Sequence, residues 1–259
     1  MNCYTSLMIM LALVASFQTA AAQDRQYYEV RIYQCSTADQ LDRLEQYLEQ
    51  AFIPLLHQHG TDNVGIFTSI DNDTASRKKV LILIPASDLS QLEELGDLMI
   101  STDQQAGSGK DYLMTSHEEP VYDRIQTSWH RAFEHMPILS KPSFSGPLSN
   151  RVFEYRSYEG ASELLYRRKV HMFNEGGEID LFTSLGFNAV FYAETLVGPR
   201  TPNLIYMTSF ENMDSRNSHW DAFRADPRWK EMSSLDKYQH TVSKADIFLL
   251  RPTSYSDIK

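Results

Sequence analysis

The residues best suited to chemistry lie in one short run, His171-Met172-Phe173-Asn174-Glu175-Gly176-Gly177-Glu178. His171 and Glu175 are four apart, and Glu178 is seven from His171, so one helical face can present all three. A carboxyl in a half-buried cleft holds its proton above the usual range. Glu175, Glu178 and His171 are therefore a candidate general acid/base set. The structural alternative is a kinked helix. Glu178 then opens the following segment, where the helix dipole favours a carboxylate, and the glycines allow close backbone approach. No second His/Asp/Glu cluster has ligand spacing, so no metal is expected.

A second group of charges lies on strands. Along Tyr28-Glu29-Val30-Arg31-Ile32-Tyr33 alternation puts Glu29, Arg31 and Tyr33 on one face and Tyr28, Val30 and Ile32 on the other. Glu154, Arg156 and Tyr158 share a face in the same way. The apolar face is expected to meet helices. The charged face is then expected to point between two sheets, where charges need partners. It would line a polar ligand cleft or form Glu–Arg bridges that fix register. In the turn Gly198-Pro199-Arg200-Thr201-Pro202-Asn203, Arg200 can clamp a ligand carboxylate bidentately or bridge a neighbouring acid, with Asn203 beside it as a further ligand-binding candidate. His57 and His59 point in nearly opposite directions on a helix, which disfavours joint ligation. The sequence has no phosphate loop, nucleophile elbow, zincin motif or CxxC pair, so no cofactor is expected.

The elements that carry these residues occur twice. Tyr28–Tyr33 matches Phe153–Tyr158 at an offset of 125, which also carries Asn63–Phe67 onto Asn188–Tyr192 and Val80–Leu83 onto Ile205–Thr208. Each copy reads β-α-β-β-α-β. Thr37 and Gln40 form a capping box, followed by Leu41, Leu44, Leu48, Phe52 and Leu55 at helical spacing. Ile125, Thr127, Trp129, Arg131 and Phe133 alternate as the last strand of the first copy. Asp226-Pro227 starts a short helix late in the second. The expected fold class is α+β: two tandem ferredoxin-like units, 24–136 and 150–259, packed sheet to sheet as a pseudo-dimeric α/β barrel. Residues 137–149, with three prolines and four serines, read as a linker with little to bury.

The strand repeat and several motifs of the second copy resemble the NIPSNAP family in its tandem bacterial form. These motifs are Met172–Ile179, Gly198-Pro199-Arg200, Pro202–Met207, Ala222–Pro227 and Leu249–Pro252, with Tyr255-Ser256 close behind. The first copy is more diverged and lacks counterparts of the Gly-Gly motif and of Gly198-Pro199-Arg200. The resemblance implies a dimeric α/β-barrel fold and little about activity. The wider barrel superfamily includes cofactor-free monooxygenases, isomerases, haem enzymes and stress proteins.

Of the 259 residues 42% are hydrophobic, 12% aromatic and 22% charged, which is ordinary globular composition. A net charge of −10 repels phosphate backbones and argues against nucleic acid as a partner. Residues 1–22 carry no charge; the apolar run Leu7–Ala15 followed by Ala20-Ala21-Ala22 reads as a secretory signal peptide cut after Ala22. The product would be periplasmic or secreted, with no transmembrane span. Cleavage leaves Cys35 alone, read as a small buried residue at a strand end. The oligomeric state stays open between a monomeric pseudo-dimer and a homo-oligomer. The expected function is binding of a small apolar or aromatic ligand between the sheets. The alternatives are a cofactor-independent monooxygenase- or isomerase-like enzyme using Glu175 and Glu178, and a protein-interaction scaffold. Intact-mass analysis of exported protein should give a chain beginning at Gln23; a mass that retains residues 1–22 contradicts cleavage.

Overall fold

The computed structural model describes residues 24–101 and 107–259; the segment read as a signal peptide lies outside the described residues. The first half contains β1 (Tyr27–Cys35), α1 (Ala38–Tyr47), α2 (Ile53–Gln58), β2 (Gly65–Ser69), β3 (Lys78–Ala86), α3 (Leu89–Met99), α4 (Gly107–Leu113) and β4 (Arg124–Ala132). The second contains β5 (Val152–Glu159), α5 (Glu163–Phe173), α6 (Glu178–Ser184), β6 (Asn188–Val197), β7 (Asn203–Phe210), α7 (Met213–Ala225), α8 (Pro227–Ser234) and β8 (Lys244–Pro252).

Local chemistry sets the helix starts. Thr37 accepts from the Gln40 amide at 3.1 Å and the Gln40 side chain accepts from the Thr37 amide at 3.2 Å, the reciprocal cap expected from sequence. Asp88, Ser162 and Asn212 cap α3, α5 and α7 through the third helical amide. Asp226 caps α8, with Pro227 in its first turn.

The eight strands close in the order β1-β3-β2-β8-β5-β7-β6-β4, and every neighbouring pair is antiparallel. The two halves use one strand order and meet at two seams, β2–β8 and β4–β6. Closure leaves no free sheet edge. At the β4–β6 seam the buried Glu194 takes Arg25 at 2.9 Å, Arg131 at 2.6 Å and Arg167 at 3.1 Å. Burial pushes this carboxyl up, but the hydrogen bond and charge of Arg131 outweigh it, with Arg25 behind, and it titrates below its ordinary value.

One buried cluster draws side chains from all eight strands, among them Tyr28, Val30, Phe67, Leu83, Phe153, Phe191, Met207 and Leu250. It is the filling of the barrel. Tyr33, Ile66, Val80, Ile82 and Ile84 instead pack with Leu44, Leu48, Phe52 and Leu92 of the helices. The expected faces are therefore reversed. Tyr28, Val30 and Ile32 point into the barrel, and Glu29, Arg31 and Tyr33 lie beneath the helices. The reason is partnership: the lumen supplies aliphatic and aromatic groups, whereas the helix layer supplies donors and acceptors for charges.

The constant offset of 125 also slips. Ile84 stands opposite Glu29 as Thr208 stands opposite Glu154, an offset of 124 on β3 and β7. Ile66 opposite Ile82 matches Tyr192 opposite Tyr206, an offset of 126 on β2 and β6. One residue of slip exchanges the faces. Phe67 thus belongs to the lumen and Tyr192 to the helix layer.

Residues 137–149 are less free than linker chemistry suggests. The Ser140 amide donates to Val190 O at 2.9 Å, the Leu139 amide donates to Gln26 Oε1 at 2.8 Å, and Leu139 packs against the lumen cluster. The C-terminal tail plugs the lumen near Leu250: Ile258 is fully buried there, and Ser256 Oγ accepts from the Ile66 amide at 2.9 Å.

Phe153→Ala removes a fully buried ring that packs against Phe67 in a tilted pair with centroids 4.9 Å apart. It should cost about 3–5 kcal/mol, read as a lower urea midpoint at unchanged m. A loss below about 1 kcal/mol would mean that the lumen is loosely packed.

Candidate functional site

The structure separates the three acid/base candidates. Glu178 is buried in the first turn of α6 and takes Lys169 Nζ at 2.7 Å. Burial pushes its carboxyl up, against the pull of Lys169. His171 is exposed and shares a 2.8 Å hydrogen bond with Tyr238 Oη. Glu175 lines an open surface groove of about 430 Å³ with Gly177 and Tyr238. Gly176 is required by close approach, because a Cβ there would lie 2.6 Å from both Met172 O and Tyr238 Oη. The kinked-helix reading of this run is the one observed. Glu175, Glu178 and His171 share no cavity, because α5 ends before the glycines and a second helix begins after them.

The strand charges form two networks under the helices. Glu154 takes Arg156 Nε at 2.6 Å, Arg216 Nε at 2.7 Å and the Trp220 indole N–H at 2.8 Å. Burial raises its carboxyl, but the Arg216 hydrogen bond and both arginine charges outweigh this and hold it below its ordinary value. Arg156 Nη1 donates to Tyr158 Oη at 2.8 Å, which meets Tyr206 Oη at 2.9 Å. In the first half Glu29 takes Arg31 Nε and the Trp129 indole N–H, the latter at 2.7 Å. None of these carboxylates faces the lumen.

Arg200 and Asn203 do come together at one mouth of the barrel. A cavity of about 40 Å³ lies there, walled by Ile32, Tyr155, Ile205 and Phe248 and rimmed by Ser128, His130, Ser157, Thr195 and Asn203. Pro199 and Arg200 of the turn between β6 and β7 also line it. Arg200 bonds to Asp246 and stands 3.4 Å from Glu159, so it bridges neighbouring acids. A cis peptide joins Thr201 to Pro202.

The rim is one hydrogen-bonded chain. Ser128 Oγ lies 2.7 Å from His130 Nε2, and Thr195 Oγ1 lies 3.0 Å from His130 Nδ1. Thr195 Oγ1 donates to Asn203 Oδ1, and Asn203 Nδ2 donates to Ser157 Oγ at 2.5 Å. His130 is 1% exposed, and burial pushes its imidazole down to about 3. It is neutral at pH 7. Because Thr195 spends its proton on Asn203, it accepts from His130 Nδ1–H, and Nε2 accepts from the Ser128 hydroxyl. The donors then run in one direction and leave the Ser157 hydroxyl proton unspent within the chain.

His130, Ser128, Ser157 and Thr195 were not singled out from sequence. The signal was present in β4: Gln126, Ser128 and His130 alternate with Ile125, Thr127 and Trp129, and an all-polar row on a strand marks a face that needs polar partners. Ser157 was hidden because it breaks the match between Arg31-Ile32-Tyr33 and Arg156-Ser157-Tyr158. Among the described residues no group of three or more His, Cys, Asp or Glu side chains could hold a metal, and no helix is long and apolar enough to cross a membrane.

Residues 146–257 match the family model NIPSNAP. Solved structures share the fold over nearly the whole chain. One is a provisionally named monooxygenase from Fusobacterium nucleatum, with 8% identity and a TM-score of 0.56, covering 89% of this chain and 93% of that one. Another, also provisionally named a monooxygenase, is from Lactobacillus acidophilus, with 11% identity and a TM-score of 0.55 over 88% of this chain and 94% of that one. A third is described as anthrone oxidase-like, with 11% identity and a TM-score of 0.54 over 90% of this chain and 93% of that one. No protein of curated function matches the chain. At these identities the likeness is one of fold.

The unfolded imidazole of His130 takes up a proton near pH 6.5 and the native one only near 3. Its effect on stability is therefore absent above about 6.5 and destabilises increasingly as pH falls through that window. Between pH 7 and 4.5 the native chain should lose about 2–3 kcal/mol more than His130→Gln in urea unfolding. Parallel losses in the two proteins would show that His130 takes up its proton in the folded state as readily as in the unfolded one.

Proposed function

We propose that the protein binds a small aromatic or apolar molecule with one polar acceptor atom at the Arg200 mouth of the barrel. The chain from Ser128 through neutral His130, Thr195 and Asn203 to Ser157 carries this reading, because it aligns polar groups at the edge of an otherwise apolar lumen. Tyr155, Ile205 and Phe248 offer the ligand apolar walls, and the unspent Ser157 proton offers its oxygen a donor. A space of about 40 Å³ admits only one or two water-sized groups, whereas a cavity of roughly 150 Å³ is the scale that takes a benzene ring. Entry of a ring therefore requires the Pro199–Arg200 turn to lift and Arg200 to leave Asp246. The reading treats the chain as two tandem ferredoxin-like units, 24–136 and 150–259, acting outside the cytoplasm after cleavage behind Ala22.

A cofactor-independent oxygenase or isomerase is the second reading. The names of the fold neighbours suggest it, and a neutral imidazole beside the cavity favours it. His130 would then hold or move the proton, in place of Glu175 and Glu178, which lie away from the cavity.

The test is a thermal-shift and NMR titration with monohydroxylated aromatics. Asp246→Asn, which loosens the turn, should speed association about tenfold or more, and Ser157→Leu, which fills the cavity, should abolish binding. A ligand that binds Ser157→Leu as well as the native protein would place its site elsewhere and defeat the proposal.

A further inference from the structure

The two halves differ at one place where their frames coincide. Counting from the capping residues Asp88 of α3 and Asn212 of α7, Leu92 stands where Arg216 stands and Gly96 where Trp220 stands. Both second-half residues serve Glu154. Arg216 donates to it from Nε at 2.7 Å and from Nη2 at 3.1 Å, and Trp220 donates its indole N–H at 2.8 Å. The Trp220 ring also covers the guanidinium of Arg156, whose Cζ lies 3.7 Å from the ring centroid. The first half lacks both groups on its helix. Trp129 of β4 restores one donor to Glu29, and Arg31 provides another.

The vacated space is open. A Cβ built on Gly96 would meet nothing within 4 Å. A cleft of about 410 Å³ lies there between α3 and the sheet, lined by Glu29, Arg31, Leu92, Gly96, Trp129 and Val197. This is within the size range of small-molecule sites, roughly 300–1,000 Å³. Glu29 is 2% exposed and accepts from two donors where Glu154 accepts from three side chains. A carboxylate has about four acceptor positions, so Glu29 retains capacity toward the cleft. Among the described residues no aromatic ring covers Arg31 as Trp220 covers Arg156; Arg31 is 6% exposed and its Nη1 donates to Met99 Sδ at 2.6 Å, so a ring takes its face beside that thioether.

We propose that this cleft binds a planar aromatic molecule carrying one N–H or O–H donor, seated as Trp220 is seated in the second half. Its donor meets Glu29, and its face takes the Arg31 guanidinium, an arrangement worth more when it is shielded from water. The second half supplies the template: an indole with its N–H on glutamate and its ring on arginine. The site lies on the outer face of the sheet; Ser128 lines both it and the lumen mouth, but Glu29, Arg31 and Gly96 line only the outer cleft and Ser157 only the lumen mouth, so each can fail alone.

The probe is indole, with 1-methylindole as the donorless control, followed by ligand-observed NMR and calorimetry on the whole mature chain. Indole should saturate one site, and 1-methylindole should bind about three- to tenfold more weakly, the share of one hydrogen bond. Gly96→Trp should supply the missing ring from the chain itself and weaken indole by more than tenfold. Gly96→Leu, a smaller plug on the same open position, serves should the tryptophan variant fail to fold. Ser157→Leu, at the lumen mouth, should leave indole binding unchanged. No saturable indole binding, equal affinity for the two indoles, or undiminished binding in a folded Gly96 plug would overturn the proposal. Loss of indole binding in Ser157→Leu alone would assign the indole to the lumen and overturn it equally.

Discussion

A closed barrel of eight strands has one interior, just wide enough for side chains to fill. All eight strands of this protein contribute apolar side chains to it, and Phe153, Phe67, Tyr28 and Phe191 are fully buried there. An ion among them would lose its hydration with nothing to replace it. Every strand charge that can be placed on either face is therefore driven to the outer one. Glu29, Arg31, Glu154 and Arg156 sit beneath helices because Trp129, Arg216 and Trp220 are there to meet them. Toward its Asp246 end the lumen becomes polar, and there uncharged Ser, Thr, Asn and a neutral His satisfy one another without a net ion.

This division explains where function can reside. Buried pairs such as Lys169–Glu178 and the three arginines around Glu194 hold helices and seams in place. Each has its partner within the fold, and breaking one would leave an uncompensated buried charge. The lumen rim differs, because its groups are joined in a line and one side of the line faces a cavity. The outer cleft by Gly96 differs in another way: the second half fills the corresponding place with its own tryptophan. One helical position thus holds a buried tryptophan in the second half and open space in the first.

Much of the architecture was legible because strand alternation, capping residues and a repeat are local signals. The Thr37–Gln40 box and the Asp226-Pro227 start were both readable in this way. The direction of the strand faces was not. Tyr28-Val30-Ile32 is equally suited to helices or to another sheet, and only closure of the barrel decides between them. The His171–Glu178 spacing failed for a related reason. A helical face carries spacing only while the helix lasts, and Asn174 ends this one before Gly176 and Gly177. Arg200 and Asn203 reached a common site because one rigid turn carries both, whereas His130 comes from the other half of the chain and has no local mark beyond its alternation.

The account rests on an uncharged imidazole at the lumen mouth, its proton on Nδ1 and its Nε2 accepting from Ser128. Side-chain nitrogen NMR of the histidines at pH 5 reads this directly. His130 should show one protonated and one unprotonated ring nitrogen. Two protonated nitrogens on His130 at that pH would contradict the neutral chain, and with it the site built on that chain.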